Sequence, residues 1–168
     1  MEARKRVLVT GLAGKIGGVI RQNLSEKYLI SGLDLQKVNE YDTTVANLSD
    51  LKGIMPAFQG IHTVVHLAAD PNHQGGWETI LENNIVGTRN VYEASRIAGV
   101  KRIIFASSNH ALGFYPLKDN PYKQIYSGDF SSLRQPVKVL DIALVRPDGY
   151  YGVSKAFGEA LGSYFHDE

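Results

Sequence analysis

Cysteine is absent from the 168 residues. Disulfides, thiolate zinc sites and a cysteine nucleophile are thereby excluded, and the lack fits a reducing compartment. Charge of one sign is also lacking: 18 Lys and Arg stand against 17 Asp and Glu, a formal net charge of +1. That balance gives no basic footprint for nucleic acid and no electrostatic case for an acidic surface. Long apolar runs are missing too. The stretch MEARKRVLVTGLAGKIGGVI places basic residues before an apolar segment, but Lys15 and several glycines interrupt it and no small-residue cleavage site follows. No signal peptide and no membrane span are expected, so the expected location is cytoplasmic. Repeats and low-complexity tracts are lacking as well. Hydrophobic residues make up 43% and charged residues 21% of the chain, which suits one folded domain over residues 1–168 with an ordinary core.

What is present is alternation. Short apolar, β-branched runs predict strands at Arg6–Thr10, Tyr28–Asp34, Thr63–Leu67 and Arg102–Ala106. Between them, amphipathic stretches predict helices at Lys15–Leu24, Leu48–Phe58, Trp77–Ala98 (ended by Gly99) and Tyr150–Phe165. Runs such as VLV and TVV, apolar on both faces, suit the interior of a parallel sheet, so the expected class is an open α/β fold. Residues 112–149 break the rhythm. They hold four prolines and the aromatics Phe114, Tyr115, Tyr122, Tyr126 and Phe130, which argue for a packed substrate-side loop. Val137–Val145 is a candidate strand within it.

Gly11, Gly14 and Gly17 follow the first strand and open the first helix. Gly11 permits a tight turn, Gly14 lets a backbone approach a pyrophosphate, and Gly17 lets helix and strand pack closely, with the helix N-terminus facing the phosphates. Ile16 after Lys15 rules out a P-loop, which needs Ser or Thr there. Asp34 ends the second strand at the spacing of a ribose-binding acid. Its carboxylate would accept from both hydroxyls of NAD and repel a 2′-phosphate, so NAD is expected over NADP.

Tyr151 and Lys155 stand at i and i+4 on one helix face. A tyrosine hydroxyl works as a base near neutrality only if its pKa drops from about 10 to about 7, a change of about 4 kcal/mol. An ammonium about 4 Å away in a partly screened site supplies a term of about that size. An exposed surface pair is the alternative, which the glycine turn upstream disfavours. Val153, Phe157, Leu161 and Phe165 are expected to be buried on the same helix, and Gly158 and Gly162 to admit a close neighbour such as a partner helix. The fourth strand ends in FASSNH, and strand C-terminal ends hold ligands in open α/β sheets. Ser107 or Ser108 could therefore orient a substrate oxygen beside Tyr151. His110 reads equally as a polar contact or as a capping or core residue. His62, His73 and His166 form no ligand-like cluster, and no metal is expected.

Taken together, TGLAGKIG, Asp34, HLAA at His66–Ala69, NNIVGT at Asn83–Thr88, Ser107–Ser108 and YGVSK at Tyr151–Lys155 resemble the extended short-chain dehydrogenase/reductases, the NAD-dependent epimerase/dehydratase group. Within it, SSNHALGFY and RPDGYYGVSKAFGE look most like uronate dehydrogenases. The resemblance implies a Rossmann-type doubly wound parallel sheet, with the substrate lobe largely absent because members of the group run on past the catalytic helix. It implies Tyr151 as base, Lys155 as its partner and a ligand of the nicotinamide ribose, and Ser108 as the orienting hydroxyl, with Asn109 and His110 touching the sugar. It implies that Gly11, Gly14, Lys15, Ile16, Gly17, Asp34, Leu67, Ala68, Ala69 and Asn84 line the cofactor. Asn47 and Leu48 fall where the group has Asp and an aliphatic residue against adenine.

The function expected is NAD-dependent oxidation of a sugar or a sugar acid such as a uronate. A sugar-nucleotide epimerase or dehydratase, and an NAD-binding module without turnover, remain open beside it. A uronate carboxylate needs a cation, for which Arg134 and Arg146 are candidates. An unpaired edge on the fourth strand would favour a homo-oligomer, a dimer or larger.

Overall fold

The computed structural model describes residues 3–72, 76–134, 136, 137 and 144–168. Five parallel strands form one sheet: β1 (Arg6–Thr10), β2 (Leu29–Asp34), β3 (Thr43–Val45), β4 (Thr63–His66) and β5 (Arg102–Phe105). Their order is β3-β2-β1-β4-β5. The chain builds outward from β1 to one edge, then returns to lay β4 on the other side of β1. The order thus reverses between β1 and β4, the place where open α/β sheets leave a crevice for a ligand. This is the doubly wound α/β arrangement that the alternating pattern predicts.

The central strand β1 is buried along Val7–Thr10 because helices cover both sheet faces. On one face, Leu8, Leu33 and Val64 pack with Ile54 of α2 (Leu51–Ile54), Phe58 of the 3₁₀ turn Met55–Phe58, and Val91 and Ala94 of α4 (Gly87–Ala98). On the other, Val7, Val9 and Leu12 pack with Ile20 of α1 (Lys15–Leu24) and with Val38 and Tyr41.

Several expected elements are redrawn. The helix expected over Leu48–Phe58 starts only at Leu51, where the Asp50 carboxylate accepts from Gly53 N at 3.1 Å. It tightens to 3₁₀ geometry where Pro56 enters. The three-residue strand β3 carries too few residues to show a period and was not anticipated. The expected single helix Trp77–Ala98 is α3 (Trp77–Ile80), a π-helical segment Leu81–Val86, and α4. The 112–149 segment contains two short helices, α5 (Phe114–Lys118) and α6 (Tyr122–Tyr126), and the candidate strand Val137–Val145 lies largely outside the described residues. The last helix, α7, spans Tyr150–Asp167. Its buried residues are Gly152, Ser154, Lys155 and Gly158, whereas Val153, expected inside, is exposed. Gly158 and Gly162 do admit close neighbours, but from the same chain. A Cβ at Gly158 would overlap the Phe105 ring, and one at Gly162 would lie 2.9 Å from the Tyr92 hydroxyl. No helix among the described residues is long and apolar enough to cross a membrane.

Candidate active site

The glycine turn sits at the C-terminal end of β1. Gly11 has φ +73°, and a Cβ there would lie 2.9 Å from the Ala68 backbone N. Both facts restrict the position to glycine. A Cβ at Gly17 would stand 2.6 Å from the Gly11 carbonyl oxygen, so close packing of α1 on the turn also requires glycine. Gly14 caps α1 without a side-chain hydrogen bond, and no acid occupies the first turn. The helix therefore presents uncapped N–H groups and its positive dipole end to the crevice.

Asp34 ties β2 to this turn. One carboxylate oxygen accepts from Ala13 N at 2.9 Å and the other from Gln36 N at 3.1 Å. Lys15 and Ile16 are exposed on the first turn of α1, and Leu67, Ala68 and Ala69 run half-buried from the end of β4 alongside Gly11. A cradle that a Cβ would fill, an uncapped helix end and a strand-end carboxylate fit a dinucleotide. Leu48 packs in the core, where it meets Leu8 and Ile54. Asn47 Oδ1 accepts from Ser49 N at 3.0 Å, and its Nδ2 donates to Glu82 at 3.4 Å. Glu82, which also accepts from the Ser49 hydroxyl at 3.1 Å, was not singled out from the sequence.

At the other end of the crevice, α7 lies against β5 and the 3₁₀ turn Asn109–Leu112. Gly152 makes this possible, because a Cβ there would overlap the His110 carbonyl. Lys155 is 5% exposed, and its Nζ donates to the Ala106 carbonyl at 2.8 Å. The ammonium stands 5.0 Å from the Phe105 ring centre and 5.4 Å from that of Tyr151. Burial pushes its pKa down to about 8. The Tyr–Lys pair is thus no exposed surface pair.

Asn84 is 2% exposed, since the π-helical turn carries it inward. Its Oδ1 accepts from Asp70 N at 2.7 Å, and its Nδ2 donates to the Asp70 carbonyl at 3.0 Å and to Ser154 Oγ at 3.2 Å. It therefore joins the segment after β4 to the turn of α7 that holds Tyr151. The two serines separate. Ser107 donates to the Glu159 carboxylate. Ser108 accepts from His110 N at 3.2 Å and faces Asn109 Oδ1 at 3.3 Å. The His110 ring meets Tyr151 edge-on at 5.6 Å, and its Nδ1 lies 2.8 Å from Asp148. Ser108, Asn109, His110, Tyr151 and Lys155 are therefore brought to one place. Arg146 pairs with Asp119 and lies 5.4 Å from the Tyr115 ring centre, so its charge already has a partner. Arg134 lines a cavity of about 420 Å³ with Tyr122, Gln124 and Ser132.

Besides Glu82, the residues Thr10, His66, Thr88, Asp148 and Glu159 join these contacts without a motif of their own in the sequence. A signal existed for His66. A histidine inside the apolar run TVVHL must find buried partners. Among the described residues, no group of three or more His, Asp or Glu is gathered to hold a metal ion.

Comparison with known proteins points the same way. The model of the NAD dependent epimerase/dehydratase family matches residues 7–168. L-arabinose 1-dehydrogenase (NAD(P)(+)) of Haloferax volcanii is 39% identical over 162 residues, 96% of this chain and 61% of the relative. Uronate dehydrogenase of Agrobacterium fabrum is 36% identical over 169 residues, 98% of this chain and 57% of the relative. The crystal structure of a uronate dehydrogenase mutant from Agrobacterium tumefaciens complexed with NAD superposes with a TM-score of 0.80 at 34% identity, covering 99% of this chain and 57% of that one. The chain thus spans somewhat more than half the length of the relatives it matches.

Proposed function

Since this chain belongs to the NAD dependent epimerase/dehydratase family, we propose that it binds NAD between the Gly11 turn and Lys155 and oxidises a sugar or sugar acid. NAD, when bound, supplies the hydride acceptor. Asp34 and the N-terminus of α1 would hold its adenosine and phosphate parts, and Lys155 would hold the nicotinamide ribose. Ser108 orients the substrate hydroxyl. The Tyr151 phenolate takes that hydroxyl's proton as the adjacent C–H bond gives up its hydride, so one proton and one hydride leave together. Lys155 stabilises the phenolate by standing as a buried cation beside the ring. The observation that carries this reading is that ammonium, drawn onto the Ala106 carbonyl at 2.8 Å and held 5.4 Å from the centre of the Tyr151 ring.

The substrate class follows the excursion over 112–149. Because Arg146 is already paired with Asp119, a neutral sugar fits this end at least as well as a uronate, whose carboxylate would look to Arg134. The chain is read as cytoplasmic and self-associating. It lacks cysteine, and among the described residues β5 is the outermost strand on its side of the sheet, with Ile104 half exposed. A monodisperse monomer in sedimentation would remove the self-association.

The test is NADH formation, followed by absorbance, with NAD and a panel of neutral aldoses and uronates. Turnover with one member, lost in Tyr151→Phe, is the expected result. NAD binding by calorimetry without net NADH would replace oxidation by an epimerase, which returns its hydride, or by a binding module. No NAD binding would overturn the reading altogether.

A further inference from the structure

His66 is 1% exposed and takes no part in the chemistry above. It is the register partner of Thr10 at the C-terminal ends of β1 and β4, the two strands between which the sheet order reverses. The Thr10 hydroxyl is a crowded hub. It lies 3.2 Å from Leu67 N and 3.1 Å from Ala68 N, both of which donate to it. It lies 2.7 Å from His66 Nδ1. Ala68 N takes one lone pair, and Leu67 N, shared with the Thr10 carbonyl at 3.3 Å, faces the other, an arrangement that favours the hydroxyl giving its proton to Nδ1. His66 Nδ1 is therefore bare. The ring proton then belongs on Nε2, 3.1 Å from Thr88 Oγ1 of α4, to which it would donate. An imidazolium would aim a third donor at Thr10 and would add a second cation near Lys155, since the Phe105 ring centre lies 5.7 Å from that of His66 and 5.0 Å from the ammonium. Burial first, and the Lys155 charge second, hold the ring's pKa down at about 3.

The Ala68 amide held by this hub is the atom that a side chain at Gly11 would strike. We propose that His66, as its neutral Nε2–H form, is a positioning residue for the dinucleotide turn. Through Thr10 it sets the Leu67–Ala68 backbone against Gly11, and through Thr88 it anchors that backbone to α4. The proposal rests on the NAD reading only for its affinity arm.

Two readouts need neither turnover nor cofactor. In ¹⁵N-histidine NMR, one ring is expected to show a bare Nδ1 and a protonated Nε2, unchanged from pH 8 to pH 5. A protonated Nδ1 on the His66 ring, or titration of that ring in this range, overturns the proposal. Hydrogen exchange is expected to protect the Leu67 and Ala68 amides, and Thr10→Val to expose Ala68 selectively, because Leu67 N keeps the Thr10 carbonyl at 3.3 Å. Uniform loosening of the sheet in that variant would instead make the hub ordinary core packing. The affinity arm compares two substitutions. His66→Asn keeps an acceptor near the Nδ1 position, and NAD should bind it within about threefold of the parent. His66→Gln keeps only the arm toward Thr88 and should bind about tenfold more weakly, the scale of one lost buried hydrogen bond. Equal NAD affinity in the two variants, at equal thermal stability, would reduce His66 to a space filler. Failure of the parent to bind NAD would sink the functional reading while the tautomer and exchange results still decided this one.

Discussion

The glycine turn and the 112–149 excursion are built by opposite means. The turn tolerates nothing larger than hydrogen at Gly11 and Gly17, because backbone atoms stand where a Cβ would go. Beneath it lie Thr10, His66 and Thr88, all 3% exposed or less and each bonded to another. The excursion instead exposes Tyr126, Phe130 and Leu144, at 71%, 66% and 85%. It is closed at a neck where Arg146 N donates to the Ala111 carbonyl at 2.9 Å and Phe114 N donates to the Arg146 carbonyl at 3.1 Å. His110–Asp148 and Arg146–Asp119 complete that neck. Steric exclusion admits few alternatives, whereas paired charges can be exchanged or re-aimed. A cofactor common to a family suits the first kind of construction, and a substrate that varies between relatives suits the second.

Substitutions can break or sharpen that contrast. The largest effect is expected where the two regions meet. Tyr151→Phe should lower kcat by about 100-fold or more while NAD affinity, measured by calorimetry, stays within a few-fold. A comparable loss of NAD affinity would mean that the two ends are not separable.

Next comes Lys155. Its burial disfavours the charged form, so the folded state carries a penalty below pH 8 that is relieved as pH rises toward 10.5. The unfolded chain binds the extra proton in that window, and stability due to this group therefore rises with pH. Chemical denaturation should show the stability advantage of Lys155→Met over the parent shrinking by roughly 3 kcal/mol between pH 8 and 10.5. A pH-independent difference would contradict the buried ammonium. His66 acts at the other limb. Its neutral form is favoured in the fold, so its contribution is full above about pH 6.5 and is lost as pH falls toward 3.

A smaller effect compares two glycines directly. Gly17→Ala should cost about 1–3 kcal/mol in thermal or urea unfolding through overpacking. Gly128→Ala, with φ +77° but open space around it in the excursion, should cost only about 1 kcal/mol, the strain of the left-handed conformation. Equal costs would erase the distinction between a turn set by sterics and a loop set by its neck. Smallest in stability is Asp148→Asn, which weakens the hold on His110. It should change unfolding free energy by less than about 1 kcal/mol, as partly exposed pairs do. It should raise the KM for the sugar several-fold in steady-state kinetics, with NAD affinity untouched.

Much of this protein was legible in one dimension because the governing interactions are local. The apolar runs at Arg6–Thr10 and Arg102–Phe105 follow from continuous β-branched composition, the Tyr–Lys face of the last helix from the 3.6-residue period, and the turn after the first strand from its glycines. Asp34 could be placed by counting. The rest depends on groups far apart in the chain, which no local pattern encodes. His66 acquires its tautomer from a threonine 56 residues away. Asn84 faces a serine 70 residues on, and only because a π-helical turn re-aims it. Ser107 is drawn off by Glu159, 52 residues later, which leaves Ser108 on the His110 amide, whose ring meets Tyr151. The sequence determined four strands of the sheet, the first and last helices and the chemistry they carry. Tertiary packing decided which polar group meets which, since a buried donor or acceptor must find its partner wherever the fold brings one within reach.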